Sequence, residues 1–168
     1  IRPVDEPLLA EKFKALPYDL SVDEVLARMQ KTIPLFADVN ALMFREVILS
    51  STLHVLNKGD VIFEKNDYSD SFYTILDGTA EVDLGEQTVS ILKGLFFGEM
   101  SLISGRRRTA TIFAGYKCVL IETPRRVINK LISSDVSVCR EIDETFVARA
   151  IRSSLAKNAD AIELKKLA

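Results

Sequence analysis

The spacing of apolar and polar positions changes twice along the chain. Through the first 50 residues apolar positions recur at helical intervals, the spacing that lines one face of a helix. Ser21 and Glu24 form a Ser-x-x-Glu capping box, with Leu20 before the cap and Val25 at the matching staple position. Val22, Val25, Leu26 and Met29 continue the stripe. Pro34 ends that helix, since its ring removes a backbone donor and crowds the preceding turn. A second periodic segment starts near Asn40 and carries Leu42, Val47, Ile48 and Leu49, so two or three short helices are predicted before the next region.

From Thr52 short β-like runs alternate with turn residues: Asn57 to Asp60, Asn66 to Asp70, Asp77-Gly78, Gly85-Glu86, Lys93-Gly94, Ser104-Gly105 and Ala114 to Lys117. Strands separated by turns every 8 to 12 residues or so predict an antiparallel sandwich or barrel. Asp77-Gly78 predicts a hairpin, because a two-residue turn that matches strand twist needs positive φ at both positions. Between Thr79 and Leu84, Ala80, Val82 and Leu84 fall on one face and Glu81 and Asp83 on the other, as expected of a strand buried on one side. After Pro124 the helical period returns with Val127, Ile128, Leu131 and Ile132. A longer helix is predicted from about Val136, with Val138, Ile142, Phe146, Arg149 and Ser153 sharing one side.

Composition narrows the class. A chain of 168 residues, 48% apolar and 27% charged, has the size and balance of one globular domain. The formal charge of -2 provides no global basic field for nucleic acid or anionic lipid, so any anion site must be local. Cys118 and Cys139 are the only cysteines; two are too few for a disulfide framework, and both are expected as free thiols. No stretch of roughly 18 to 20 apolar residues and no signal-peptide pattern is present, so a cytoplasmic protein is expected. The chain opens with Ile and ends in a helical-looking stretch, Ala159 to Ala168, and reads as a piece of something larger.

His54 is the only histidine. One His and two distant Cys supply no metal-site spacing, so no metal is expected and His54 reads as a half-exposed packing residue on a strand. No nucleophile elbow, Cys-His pair or Walker loop is evident, so no enzyme activity is expected.

The chemistry concentrates between Gly94 and Thr111. Two glycines surround the paired aromatics Phe96 and Phe97; Glu99 and a short apolar turn follow, then Arg106, Arg107 and Arg108, and then hydroxyls. This segment suits a sugar phosphate. A carboxylate accepts hydrogen bonds from ribose hydroxyls, the first amides of a helical turn point at an anion, and a guanidinium pairs with phosphate oxygens in a fork.

The segment resembles the phosphate-binding cassette of the cyclic nucleotide-binding domains found in kinase regulatory subunits, gated channels and bacterial regulators. That pattern, F-G-E-x-A-L followed by R-[ST]-A-[ST], stands here as Phe97-Gly98-Glu99-Met100-Ser101-Leu102 and Arg108-Thr109-Ala110-Thr111. Gly105-Arg106-Arg107-Arg108-Thr109-Ala110 looks especially like the channels. The resemblance spans about Ile33 to Ile151. It implies an α+β fold, with a jelly-roll-like antiparallel β-roll (a double-stranded β-helix) flanked by N-terminal helices and a C-terminal lid helix. Within one domain, residues 1–50 would be the N-terminal helical segment, 51–124 the roll with its cassette, and 125–168 the hinge and lid helices.

The resemblance also implies roles. Glu99 would hold the ribose 2′-hydroxyl and Arg108 the cyclic phosphate, with the amides of Gly98, Met100 and Ser101 on the remaining oxygens. Thr109 would contact the phosphate and, for guanine turned over the ribose, its 2-amino group, so binding of both cAMP and cGMP is expected. Arg149 falls on the base-contacting position of the last helix, and one shifted turn would substitute Phe146 or Ser153. Leu95 and Ser101 replace the family's frequent acidic and Ala positions, and Arg107 stands where Pro is common in the kinases.

The expected partner, besides the nucleotide, is a covalently attached effector or a regulated protein. The alternative is the sensor half of a transcription factor: only 57 residues follow Thr111, and they read as lid helices rather than a DNA-binding domain, so no nucleic acid is expected to bind this chain. A cupin-type metalloenzyme is opposed by the single His, and a roll that has lost its ligand by the presence of Glu99 and Arg108.

Overall fold

A computed structural model describes the backbone of residues 5–167 and the side chains of residues 6–152. Three helices and a turn of 3-10 helix come first: α1 (Asp5–Phe13), α2 (Val22–Thr32), the 3-10 turn Pro34–Phe36 and α3 (Ala41–Leu49). The capping box at the start of α2 closes in both directions, with Ser21 and Glu24 each accepting the other's backbone N–H at 3.2 Å. The predicted staple pairs a buried residue with a partly exposed one. Val25 turns into the core, whereas Leu20 stays 38% exposed on the outer side of α2 beside Glu24, Ala27 and Arg28. Ile33 is extended, at φ −108° and ψ 101°, as the residue before a proline must be. Asn40 caps α3 by accepting from the amides of Leu42 and Met43.

The middle of the chain forms eight strands: β1 (Thr52–Val55), β2 (Val61–Phe63), β3 (Phe72–Asp77), β4 (Thr79–Asp83), β5 (Thr88–Leu92), β6 (Phe96–Phe97), β7 (Thr111–Ala114) and β8 (Val119–Thr123). They pair into two antiparallel four-stranded sheets, ordered β1-β8-β3-β6 and β2-β7-β4-β5. The two faces of the first sheet serve two cores, because successive strand side chains point opposite ways. Phe72, Leu76, Phe96, Val119 and Ile121 pack with the apolar stripes of the helices. Tyr73, Ile75, Phe97, Cys118 and Leu120 face the second sheet and meet Phe63, Ala80, Ile91, Ile112 and Ala114.

The predicted Asp77-Gly78 hairpin is not one. The strands it joins lie in different sheets, and of the pair only Gly78 has positive φ, +70°. The turn is a corner that carries the chain from the first sheet to the second. Its tightness explains the glycine: a Cβ on Gly78 would lie 2.3 Å from the carbonyl oxygens of Tyr116 and Lys117. Asp77 Oδ1 accepts the Gly78 amide at 2.9 Å and braces the bend. The true hairpin joins β4 to β5 through Gly85-Glu86. Leu84, assigned by alternation to the buried face, lies beyond β4 and is 53% exposed.

A short helix, α4 (Glu99–Ser104), interrupts the roll between β6 and β7. Two helices complete the chain, α5 (Arg125–Ser134) and α6 (Val136–Leu167), with α6 packed against α5, the 3-10 turn and α4. Val138 and Ile142 of α6 are buried and Phe146 and Arg149 half-buried on the predicted side, while Ser153 and Ala168 lie outside the described side chains. Among the described residues no helix is long and apolar enough to cross a membrane.

Candidate functional site

Gly98 is the pivot of the site. It caps α4 with φ +95°, and a Cβ there would stand 2.9 Å from the Ser71 carbonyl oxygen and 3.1 Å from Arg108 Nη1. Only glycine combines that backbone with that approach. The helix it starts is a turn and a half long and ends at Gly105, whose amide bonds the Ser101 carbonyl at 2.9 Å. The amides of Glu99, Met100 and Ser101 lie in its first turn, where no carbonyl of the helix can pair with them.

Glu99 opens α4 and is 1% exposed. Its Oε2 accepts Nη1 of Arg149, carried in by α6, at 2.7 Å. Among the described residues its Oε1, which is buried, has no hydrogen-bond partner. Arg149 is held at its other end by the Phe96 carbonyl, 2.8 Å from Nη2. A buried carboxylate oxygen left unpaired costs free energy comparable to a lost hydrogen bond, about 1 to 3 kcal/mol. A half-satisfied acceptor of this kind is what a ligand hydroxyl would complete.

Arg108 is 2% exposed. Its backbone is pinned to the loop before β3, with Asn66 N–H donating to the Arg108 carbonyl at 2.8 Å and the Arg108 N–H to Asp67 at 2.9 Å. Its guanidinium donates from Nε to Ser69 Oγ at 2.9 Å, from Nη1 to the Gly98 carbonyl at 3.3 Å and from Nη2 to the Ser71 carbonyl at 2.7 Å. The carbon at its centre lies 4.1 Å from the centroid of the Phe63 ring and 5.9 Å from that of Tyr73. Burial pushes this guanidinium below the usual arginine range, opposed by the fields of Tyr73, Asp70, Glu122 and Glu99.

The contrast with Arg45 is informative. Both arginines are buried, but Arg45 is 2.9 Å from Glu6 and 3.3 Å from Asp23, two carboxylates that balance its charge. Among the described residues no carboxylate lies within salt-bridge distance of Arg108, whose partners are a hydroxyl and two carbonyls. Three bonds use three of a guanidinium's five N–H groups, which leaves one donor each on Nη1 and Nη2 for an anion. Because Nη1 also touches the carbonyl of the residue before Glu99, charge and carboxylate are joined through Gly98 alone.

The structure thus brings Gly98, Glu99, Met100, Ser101, Arg108 and Arg149 around α4. Thr109 follows Arg108 and is exposed; the second cassette hydroxyl, Thr111 Oγ1, is engaged by the Lys65 amide at 2.9 Å. Arg106 and Arg107 are exposed, and Arg107 stacks 3.9 Å over the Tyr68 ring instead of entering the site. His54 lies 2.7 Å from Glu122 on the neighbouring strand. Among the described residues no group of three or more His, Cys, Asp or Glu could hold a metal ion. Cys118 and Cys139 are both unpaired, and burial, opposed by the Gly115 backbone, pushes the Cys118 thiol up to about 11.

Spacing along the chain did not single out Ser69, Ser71 or Phe63, which hold Arg108 in place. The first two fall in or beside a segment legible only as a turn, and Phe63 reads as one more strand aromatic.

The β-roll thus buries an arginine without a carboxylate partner and a half-paired glutamate at one helix start. Residues 53–135 match the family model of the cyclic nucleotide-binding domain, and the chain belongs to that family. It is 29% identical over 117 residues to a cyclic nucleotide-gated potassium channel of Rhizobium etli, a match covering 70% of this chain and 33% of the channel. The chain therefore spans about a third of that relative's length. Among solved structures, the regulatory subunit of a cAMP-independent protein kinase A from Trypanosoma brucei superposes with a TM-score of 0.68 at 17% identity, covering 80% of this chain and 49% of that one. The regulatory domain of Toxoplasma gondii PKA, solved with cAMP, gives 0.59 at 19% identity, covering 83% and 54%. At these identities the structural likenesses carry the fold.

Proposed function

We propose that this domain reversibly binds cAMP or cGMP and passes the binding event through α6 to an attached effector or regulated protein. The fold alone does not select a nucleotide, as the Trypanosoma brucei neighbour is described as cAMP-independent. The observation that carries the reading is the buried Arg108, held by neutral partners and tied through Gly98 to Glu99. Arg108 would take the cyclic phosphate, and Glu99 the ribose 2′-hydroxyl through its unpartnered Oε1. The first amides of α4, from Gly98, Met100 and Ser101, would meet the remaining oxygens, and Thr109 the phosphate edge or a guanine amino group.

Arg149 gives the reading its switch. In this structure it occupies Glu99 Oε2, so α6 is latched to the carboxylate that the ribose would use. A ligand that repositions Arg149, toward the base or away from it, changes how α6 sits on α4. The ligand shifts that equilibrium only by its difference in affinity between the two arrangements. The domain has a regulatory role and performs no covalent chemistry.

Calorimetric titration with cAMP and with cGMP tests the reading. Saturable 1:1 binding of at least one is expected, with Arg108→Ala weakening it by roughly 2 to 4 kcal/mol through an unpaired phosphate. Equal affinity of wild type and Arg108→Ala would remove Arg108 from the site.

A further inference from the structure

Arg108 needs more than burial to serve an anion, because a long side chain with several rotatable bonds must present its fork in one orientation. Three features fix it. The Phe63 ring lies under the guanidinium plane at 4.1 Å, a stacking that suits the flat, weakly hydrated arginine head. Phe63 is itself held against Tyr73 and Phe97, whose rings stack 5.0 Å apart with 7° between planes. Two main-chain carbonyls take one N–H of each terminal nitrogen. Among the described residues the remaining hydrogen bond is the only one from a side chain: Ser69 Oγ accepts from Nε at 2.9 Å.

We propose that Ser69 is a positioning residue of the anion site, fixing the rotation of the Arg108 fork without neutralising it. A carboxylate at this position would hold Nε as firmly but would also balance the charge that the ligand must find. A hydroxyl gives direction and leaves the charge available. Asp70, the next residue, acts on Arg108 only through its field and forms no salt bridge with it. The segment 66–71 is therefore part of the site: it pins the Arg108 backbone through Asn66 and Asp67 and orients the head through Ser69 and Ser71.

The proposal rests on the cyclic nucleotide reading and is tested so that the two can fail separately. Wild type, Ser69→Ala, Ser69→Thr and Arg108→Ala are titrated with cAMP, cGMP and the two phosphorothioate diastereomers of cAMP, which differ only in which phosphate oxygen is replaced by sulfur. Thermal melts of the free proteins accompany the titrations. Ser69→Ala is expected to melt with wild type, lose affinity about ten-fold and bring the ratio between diastereomers toward one; Ser69→Thr restores both. In ligand-free protein the Arg108 Nε–H signal in nitrogen-15 NMR is expected to exchange faster with water in Ser69→Ala. Unchanged affinity and diastereomer ratio in a folded Ser69→Ala protein with an unaltered Nε–H signal would overturn the role of Ser69 and leave the nucleotide reading intact. No binding by wild type would overturn both.

Discussion

A guanidinium withdrawn from water must have its charge met. Arg45 meets two carboxylates and ties α1 and α2 to α3, whereas Arg108 meets oxygens that carry no formal charge. Breaking a buried ion pair is costly because it strands a charge; a buried cation already without a counter-ion is poised to receive one. Beside it, Glu122 shows how the neighbourhood is kept polar and ordered. Burial pushes its carboxyl up, but hydrogen bonds from Ser71, His54 and Tyr73, together with the field of His54, outweigh that and hold it below the usual glutamate range. Tyr73, pushed up to about 12 by burial and by the field of Glu122, stays a neutral phenol able to donate. A carboxylate with a depressed folded-state value stabilises the fold above its unfolded-state value, and that contribution disappears as pH falls through the folded-state value. Urea midpoints between about pH 6 and pH 3 should therefore fall more steeply for wild type than for Glu122→Gln. Parallel curves would show that the carboxylate contributes nothing to the pH dependence.

At the scale of elements, a tight steric demand lies at the Gly78 corner between sheets. Gly78 has both a left-handed backbone and two carbonyl oxygens where a Cβ would go, while Gly59 has a similar φ of +93° and open space around it. Gly59→Ala should cost only the backbone term, about 1 to 2 kcal/mol. Gly78→Ala adds overpacking and should cost about 2 to 4 kcal/mol. Denaturant midpoints of the two variants check the difference, and equal losses would mean that the corner relaxes freely. The same corner shows the limit of local pattern. Asp77-Gly78 carries the signal of a tight turn, and a tight turn is what forms; whether the strands beside it pair with each other is decided by the second sheet, which offers β4 its partners β5 and β7. Period and caps were legible wherever the cause is local, as at Ser21, Pro34 and Asn40. Leu84 and Leu20 escaped because strand length and helix orientation are settled by distant packing.

At the scale of the molecule, the cassette was legible because its carboxylate, glycines and arginine lie within one short stretch of chain. Its support was not, since Ser69, Ser71 and Phe63 reach Arg108 from 37 to 45 positions earlier, a separation that leaves no periodic trace. The contact between Arg149 and Glu99, fifty positions apart, is likewise a product of the fold, and it joins the roll to the helix that leaves it.

The most direct measurement is a crystal structure of the chain grown with cAMP. The account predicts phosphate oxygens on the outward N–H groups of Arg108, the ribose 2′-hydroxyl on Glu99, and Arg149 moved from its present contact. A nucleotide bound elsewhere, or a site unchanged with the ligand in excess, would contradict it.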